Sequence, residues 1–232
     1  MTPTLKICVS TILAMAIVGG CAASYDKPMA EKKMADTKMT MAGKQSRAHI
    51  GHVMTGWKGT PGGKGLLVTA QAEAKIAQKH ATFALAKPDN IKWMKTHTTH
   101  VLHAVDPSAM AKGPGLGYGV VKAAGGAAKH IQFAAKSSDA SKNVRLHATH
   151  VAASANNAVD RAKKIVALAK LIAKNDSEFS VAAFVREMKN LTDEIIAGDD
   201  ADGNGKVSWE KGEGGLAQAH QHMGFMMKGE KM

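Results

Sequence analysis

Aromatic residues make up only 4% of this 232-residue chain, and two cysteines, Cys8 and Cys21, are its whole thiol content. With 45% apolar residues dominated by alanine, the sequence favours closely packed helices over sheets. Several chemistries are excluded by what is missing. No Cys-x-x-Cys-His is present, so haem is not attached covalently. Gly-x-Ser-x-Gly and His-Glu-x-x-His are also absent. The glycine-rich stretch Gly113 to Gly119 lacks the Lys-Ser/Thr of a phosphate loop and reads as a turn. The net charge of +12 comes from lysines spread along the chain, without a basic run interleaved with stacking aromatics. Nucleic acid is therefore not an expected partner. An enzymatic role is not expected either, hydrolysis at a histidine-bound metal being the one route left open.

The N-terminus combines a basic head, Met1 to Lys6, with an apolar run, Ile7 to Val18, too short to span a bilayer comfortably. This pattern predicts a signal peptide over residues 1–20. Its end, Val18-Gly19-Gly20-Cys21, resembles the lipobox of bacterial lipoproteins. The resemblance implies cleavage before Cys21, lipidation of its thiol and anchoring in a lipid bilayer. Loss of Lys6 with the leader would leave a charge of +11 and no free thiol. With no acidic retention residue after the cysteine, the periplasmic face of the outer membrane is the expected location. Residues 21–46, polar and rich in Met and Lys, predict a flexible tether.

The remainder, 47–232, reads as one helical domain. Apolar and small residues at helical spacing predict helices from Leu66 to about Ala86, about Asn90 to Val105, about Val120 to Lys136, and about Lys142 to Ala173. Two more are predicted from Glu178 to Ala197 and from about Glu213 to Met227. Thr60-Pro61-Gly62-Gly63 and the segment from Lys87 to Asp89 mark the turns. The stripe Val159, Ala162, Ile165, Val166, Ala169, Ile172 is expected to be core.

Eleven histidines are present, and their placement is periodic. Lys79-His80-Ala81-Thr82-Phe83-Ala84 recurs as Lys129-His130-Ile131-Gln132-Phe133-Ala134. Seventeen residues after each of these histidines comes His-x-x-His-Val, at His97/His100 and at His147/His150. Residues 80–101 and 130–151 share 9 of 22 positions, and all three histidines are among them. The second half appears again upstream as His49/His52, and a candidate first half downstream as His220/His222. Repeats of this period predict stacked helix pairs, about 64–105 and 114–155. The two unmatched ends, His49/His52 and His220/His222, are expected to pack together as a third unit.

His-x-x-His places two imidazoles about one turn apart on one helix face, where they can share a metal. Neutral imidazole binds Cu, Zn, Ni and haem iron, so a transition metal or non-covalent haem is one reading of His49, His52, His80, His97, His100, His103, His130, His147, His150, His220 and His222. Met-rich ends, Met29 to Met41 and Met223 to Met227, would favour copper because thioether is a soft donor. The other reading makes these histidines core side chains that bridge helices by hydrogen bonds.

Between the last two predicted helices, residues 199–213 carry Asp199, Asp200, Asp202, Glu210 and Glu213 in an otherwise basic chain. The alternation of Asp200, Asp202 and Asn204, with Gly205 at the tight turn and Val207 after it, resembles the EF-hand calcium loop. The resemblance implies Ca²⁺ held by Asp200, Asp202, Asn204, the carbonyl of Lys206 and Ser208. It departs from the pattern at the last ligand position, occupied by Lys211. Glu210 or Glu213 is left to close the site. The expected protein is an all-α bundle of duplicated helix pairs with an EF-hand-like calcium loop. Two functions are expected of it: a calcium-binding envelope lipoprotein whose histidines also bind metal or haem, or a structural or partner-binding one in which calcium stabilises the fold. No protein partner is indicated.

Overall fold

The structure, a computed structural model, describes residues 40–232. The leader, Cys21 and the tether as far as residue 39 lie outside the described residues. Among the described residues there are seven α-helices and no strand: α1 Lys44–Met54, α2 Leu66–Leu85, α3 Ile91–Val105, α4 Val120–Lys136, α5 Lys142–Lys174, α6 Glu178–Ala197 and α7 Leu216–Glu230. The chain is all-α, as its composition predicts. None of these helices is long and apolar enough to cross a membrane.

Side-chain caps fix three of the helix starts. Asn90 accepts the Trp93 N–H, Ser141 that of Val144 and Ser177 that of Ser180, each satisfying a backbone donor that the first turn leaves free. The last helix begins at Leu216 rather than near Glu213, because Gly215 is its N-cap and Gln218 reaches back to the Gly215 N–H.

Alanine decides how closely the helices approach. On α2, Ala70, Ala74, Ala77, Ala81 and Ala84 are fully buried, and on α4 so are Ala123, Ala124, Ala127 and Ala134. With only a methyl group at each contact, neighbouring backbones can draw together. The long helix α5 lies against α3, α4, α6 and α7, while α2 lies against α1, α3, α4 and α6. The expected core stripe of α5 is buried at Val159, Ala162, Ile165, Ala169 and Ile172, with Val166 partly buried against it.

Two buried carboxylates tie the loops and ends to this core. Glu73, fully buried on α2, accepts N–H bonds from Leu116, Tyr118 and Gly119, so it holds the glycine-rich loop against α2. Glu230, at the end of α7, accepts the Ala42 N–H at 2.6 Å, the Ser141 hydroxyl at 2.5 Å and the Asn143 amide at 2.9 Å. Burial alone would raise the Glu230 pKa, but these donors and the Arg47 charge outweigh it and hold the carboxyl below its usual range. The ordered body accordingly starts before the tether was expected to end: Ala42 and Ser46 are buried, and α1 begins at Lys44.

Candidate metal centres

Three pairs of packed helices each bring a His-x-x-His face against a single histidine. In the first, His49 and His52 of α1 meet His130 of α4; in the second, His97 and His100 of α3 meet His80 of α2; in the third, His147 and His150 of α5 meet His222 of α7. Nine of the eleven histidines thus fall into three triads, in each of which one ligand atom per residue lies within 4.8 Å of the other two.

The nitrogens that face one another are all Nδ1. His130 Nδ1 stands 3.2 Å from that of His49 and 3.3 Å from that of His52. His80 Nδ1 is 3.1 Å from that of His97, and His222 Nδ1 is 3.2 Å from those of both His147 and His150. Nitrogen ligands about 2.0–2.1 Å from a shared ion at a tetrahedral angle stand roughly 3.3–3.4 Å apart, close to this spacing. Hydrogen bonding accounts for the arrangement less well. A ring nitrogen is either a donor or an acceptor, so in the first and third triads the central nitrogen cannot fully satisfy two neighbours. In the second triad the shortfall is explicit, because His100 Nδ1 is buried without any hydrogen-bond partner.

Burial and neighbouring charge favour the neutral form of seven of these rings. Burial, followed by the mutual repulsion of His100, His97 and Lys79, lowers the pKa of His80 to about 4. Burial and then His150 and His147 lower that of His222 to about 4. The pKa of His130 is lowered by burial, His52, His49 and Lys129, in that order. Burial is the largest cause at His49, His97, His147 and His150 too, all of them lowered. At neutral pH these seven rings therefore carry a free lone pair, the form that ligates metal.

Each triad has the same aromatic surround, which sequence reasoning missed. All three tryptophans of the chain are used. Trp57 lies 4.9 Å from the ring of His52 and 4.5 Å from that of His130; Trp93 lies 4.4 Å from His97; Trp209 lies 4.0 Å from His150. A phenylalanine three residues after each single histidine, Phe133, Phe83 and Phe225, adds a second ring 5.4–5.8 Å from the imidazoles. These phenylalanines are among the exposed large apolar residues, so each triad sits at the rim of the bundle.

The structure corrects several expectations. His222 does not join His49 and His52. The start of the described residues and the end of α7 do meet, through Glu230, Ala42 and Arg47, but the histidines of α1 pair with α4 and that of α7 pairs with α5. The second sequence repeat is therefore split between two centres, His130 going to one and His147/His150 to another. His103 and His220 belong to no triad: His103 is buried and its Nδ1 accepts the Gly115 N–H at 2.9 Å, while His220 is exposed on α7. Met223 and Met226 are fully buried core residues and Met41 is exposed, so the expected thioether donors divide between core and surface; Met29, Met34 and Met39 lie outside the described residues.

The acidic loop forms a fourth cluster. Carboxylate oxygens of Asp200, Asp202 and Glu213 lie within 4.8 Å of one another. Asp200 accepts the Asn204 and Gly205 N–H groups, Asp202 that of Asn204, and Asn204 Oδ1 that of Lys206, wrapping the loop around the first two carboxylates. Of the two glutamates left to close the loop, Glu213 joins this cluster, and its Oε2 also accepts the Ser208 N–H at 2.8 Å. Glu210 is exposed; its N–H is taken by Ser208 Oγ and its carbonyl by Asn157 of α5. Arg161 of α5 donates to the carbonyls of Gly212, Glu213 and Gly214, fixing the end of the loop to the bundle.

Compared with protein-family models, curated proteins and solved structures, the chain matches none of them.

Proposed function

We propose that this protein binds transition-metal ions at three equivalent histidine triads, displayed from a helical body that Cys21 anchors to the bacterial envelope. The observation that carries the reading is the threefold recurrence of one geometry on three different helix pairs. Core histidines that merely bridge helices have no reason to converge three at a time, with a tryptophan beside each group. Three neutral nitrogen donors suit copper, zinc or nickel and leave a coordination position for a further ligand. Haem drops out of the proposal, because nitrogens 3.1–3.3 Å apart on one side of an ion leave no room for a porphyrin between them.

Equilibrium dialysis of untagged protein against Zn²⁺, after stripping with a chelator, tests this reading. Saturation near three equivalents per chain is expected; no binding above the level of a histidine-poor control protein would refute it.

A second ion belongs to the reading for a separate reason. We propose that Ca²⁺ occupies the loop of Asp200, Asp202, Asn204, Lys206, Ser208 and Glu213, since three carboxylates drawn together on a tight turn repel one another without a cation. Its role there is structural, pinning the approach to α7.

A further inference from the structure

We propose that the three triads select a monovalent soft cation, Cu(I), over divalent zinc or copper. The inference rests on the triads being metal sites at all, and it adds which charge they are built to hold.

The charge inventory around the triads points this way. Every donor is an imidazole; no Asp or Glu belongs to any of the three groups, and among the described residues no histidine takes part in an ion pair. Two of the centres have a cation beside them instead. Lys79 Nζ lies 5.6 Å from the Phe83 ring at the second centre, and Lys129 Nζ 5.7 Å from the Phe133 ring at the first. The acidic loop shows that the same chain can gather carboxylates where a hard divalent ion is wanted.

A divalent ion in the triads would keep its full double charge in a partly buried, electropositive surround, with no anion from the protein to offset it. A singly charged ion halves that cost. Imidazole nitrogen binds copper as well as zinc, and a singly charged ion needs no oxygen anion to offset it.

The aromatic rings act in the same direction. An indole face attracts a cation through its quadrupole, and a poorly hydrated monovalent ion benefits most because it loses little water on approach. Trp57 touches the rings of both His52 and His130, so it covers the edge where those two ligands meet. Trp93 and Trp209 lie against one ligand each, and one phenylalanine lies against two imidazoles of each triad.

The test uses the full chain, stripped of metal and titrated without oxygen with Cu(I) buffered by a chromophoric chelator, and separately with Zn²⁺. Three equivalents of Cu(I) are expected to bind more tightly than Zn²⁺, and the loaded protein is expected to stay silent in electron paramagnetic resonance after exposure to air. Trp57→Leu should weaken Cu(I) at the first centre roughly 2- to 30-fold, with Trp57→Phe in between and Zn²⁺ affinity unchanged. Three equivalents of Zn²⁺ without retention of Cu(I), or a Cu(II) signal growing in air, would overturn the selectivity while leaving the metal sites standing. Failure of both ions to bind would remove the sites themselves.

Discussion

The indole of Trp209 lies nearly parallel to the imidazole of His150, with ring centroids 4.0 Å apart and planes inclined by 22°. Trp209 belongs to the acidic loop and His150 to the third triad, so one stacked pair joins the two kinds of candidate ion site. Asn157, two turns further along α5, holds the same loop through the Glu210 carbonyl and the Gly212 N–H.

Calcium should therefore be readable in tryptophan emission. Adding Ca²⁺ is expected to change the fluorescence contributed by Trp209 and to raise the melting temperature; an ion at 100 times its Kd stabilises the folded state by about 2.7 kcal/mol. Asp202→Ala should abolish both effects. Emission and melting curves that ignore Ca²⁺ would remove the loop from the list of ion sites.

His103 offers a control within the histidines. Its buried ring accepts the Gly115 N–H and holds the glycine-rich loop, so His103→Ala strands a backbone donor at a cost of about 1–3 kcal/mol. Chemical denaturation should show that loss, and the number of transition-metal ions bound should not change. A lost ion would mean that His103 is a ligand.

Stability of the metal-free protein should depend on acid in a defined window. Histidines unfold to a pKa near 6.5, whereas His80 and His222 are held at about 4 and five other triad histidines are also lowered. Between these values the unfolded chain binds more protons than the folded one, so stability rises with pH there. It is fully present above about 6.5 and is lost as pH falls toward 4. Bound transition metal should deepen this dependence, because protons then displace the ion as well. Melting temperatures across this range, with and without chelator, check the sign; a metal-free protein more stable at pH 5 than at pH 7.5 would contradict it.

Much of the scaffold was legible because its signals are local. Thr60-Pro61-Gly62-Gly63 and the segment from Lys87 to Asp89 marked turns, and small residues at helical spacing announced the buried face of α2. The histidine residues were legible too, since three recurrences of His-x-x-His are hard to miss. Their pairing was not, because adjacency in sequence suggested His130 with His147/His150. Helix α4 in fact packs on α5 and α1 together, and His130 lies toward α1, where Ser46 Oγ bonds the Ala134 carbonyl. Only in the α2–α3 hairpin does sequence order match spatial partnership.

The aromatic surround was half visible. His-x-x-Phe occurs at His80, His130 and His222, a repeat readable from the chain alone. The tryptophans share no such offset: Trp57 follows its His-x-x-His, Trp93 precedes it, and Trp209 arrives from a distant loop. Folding, rather than repetition, brings each indole to its triad.

The most direct measurement is metal stoichiometry across single-histidine variants of the untagged protein. His80→Ala, His130→Ala and His222→Ala should each lower the count of bound transition-metal ions from about three to about two, the triple variant should bring it near zero, and His220→Ala should leave it at three. Equal counts in the parent and the triple variant, or no binding in the parent, would contradict the account.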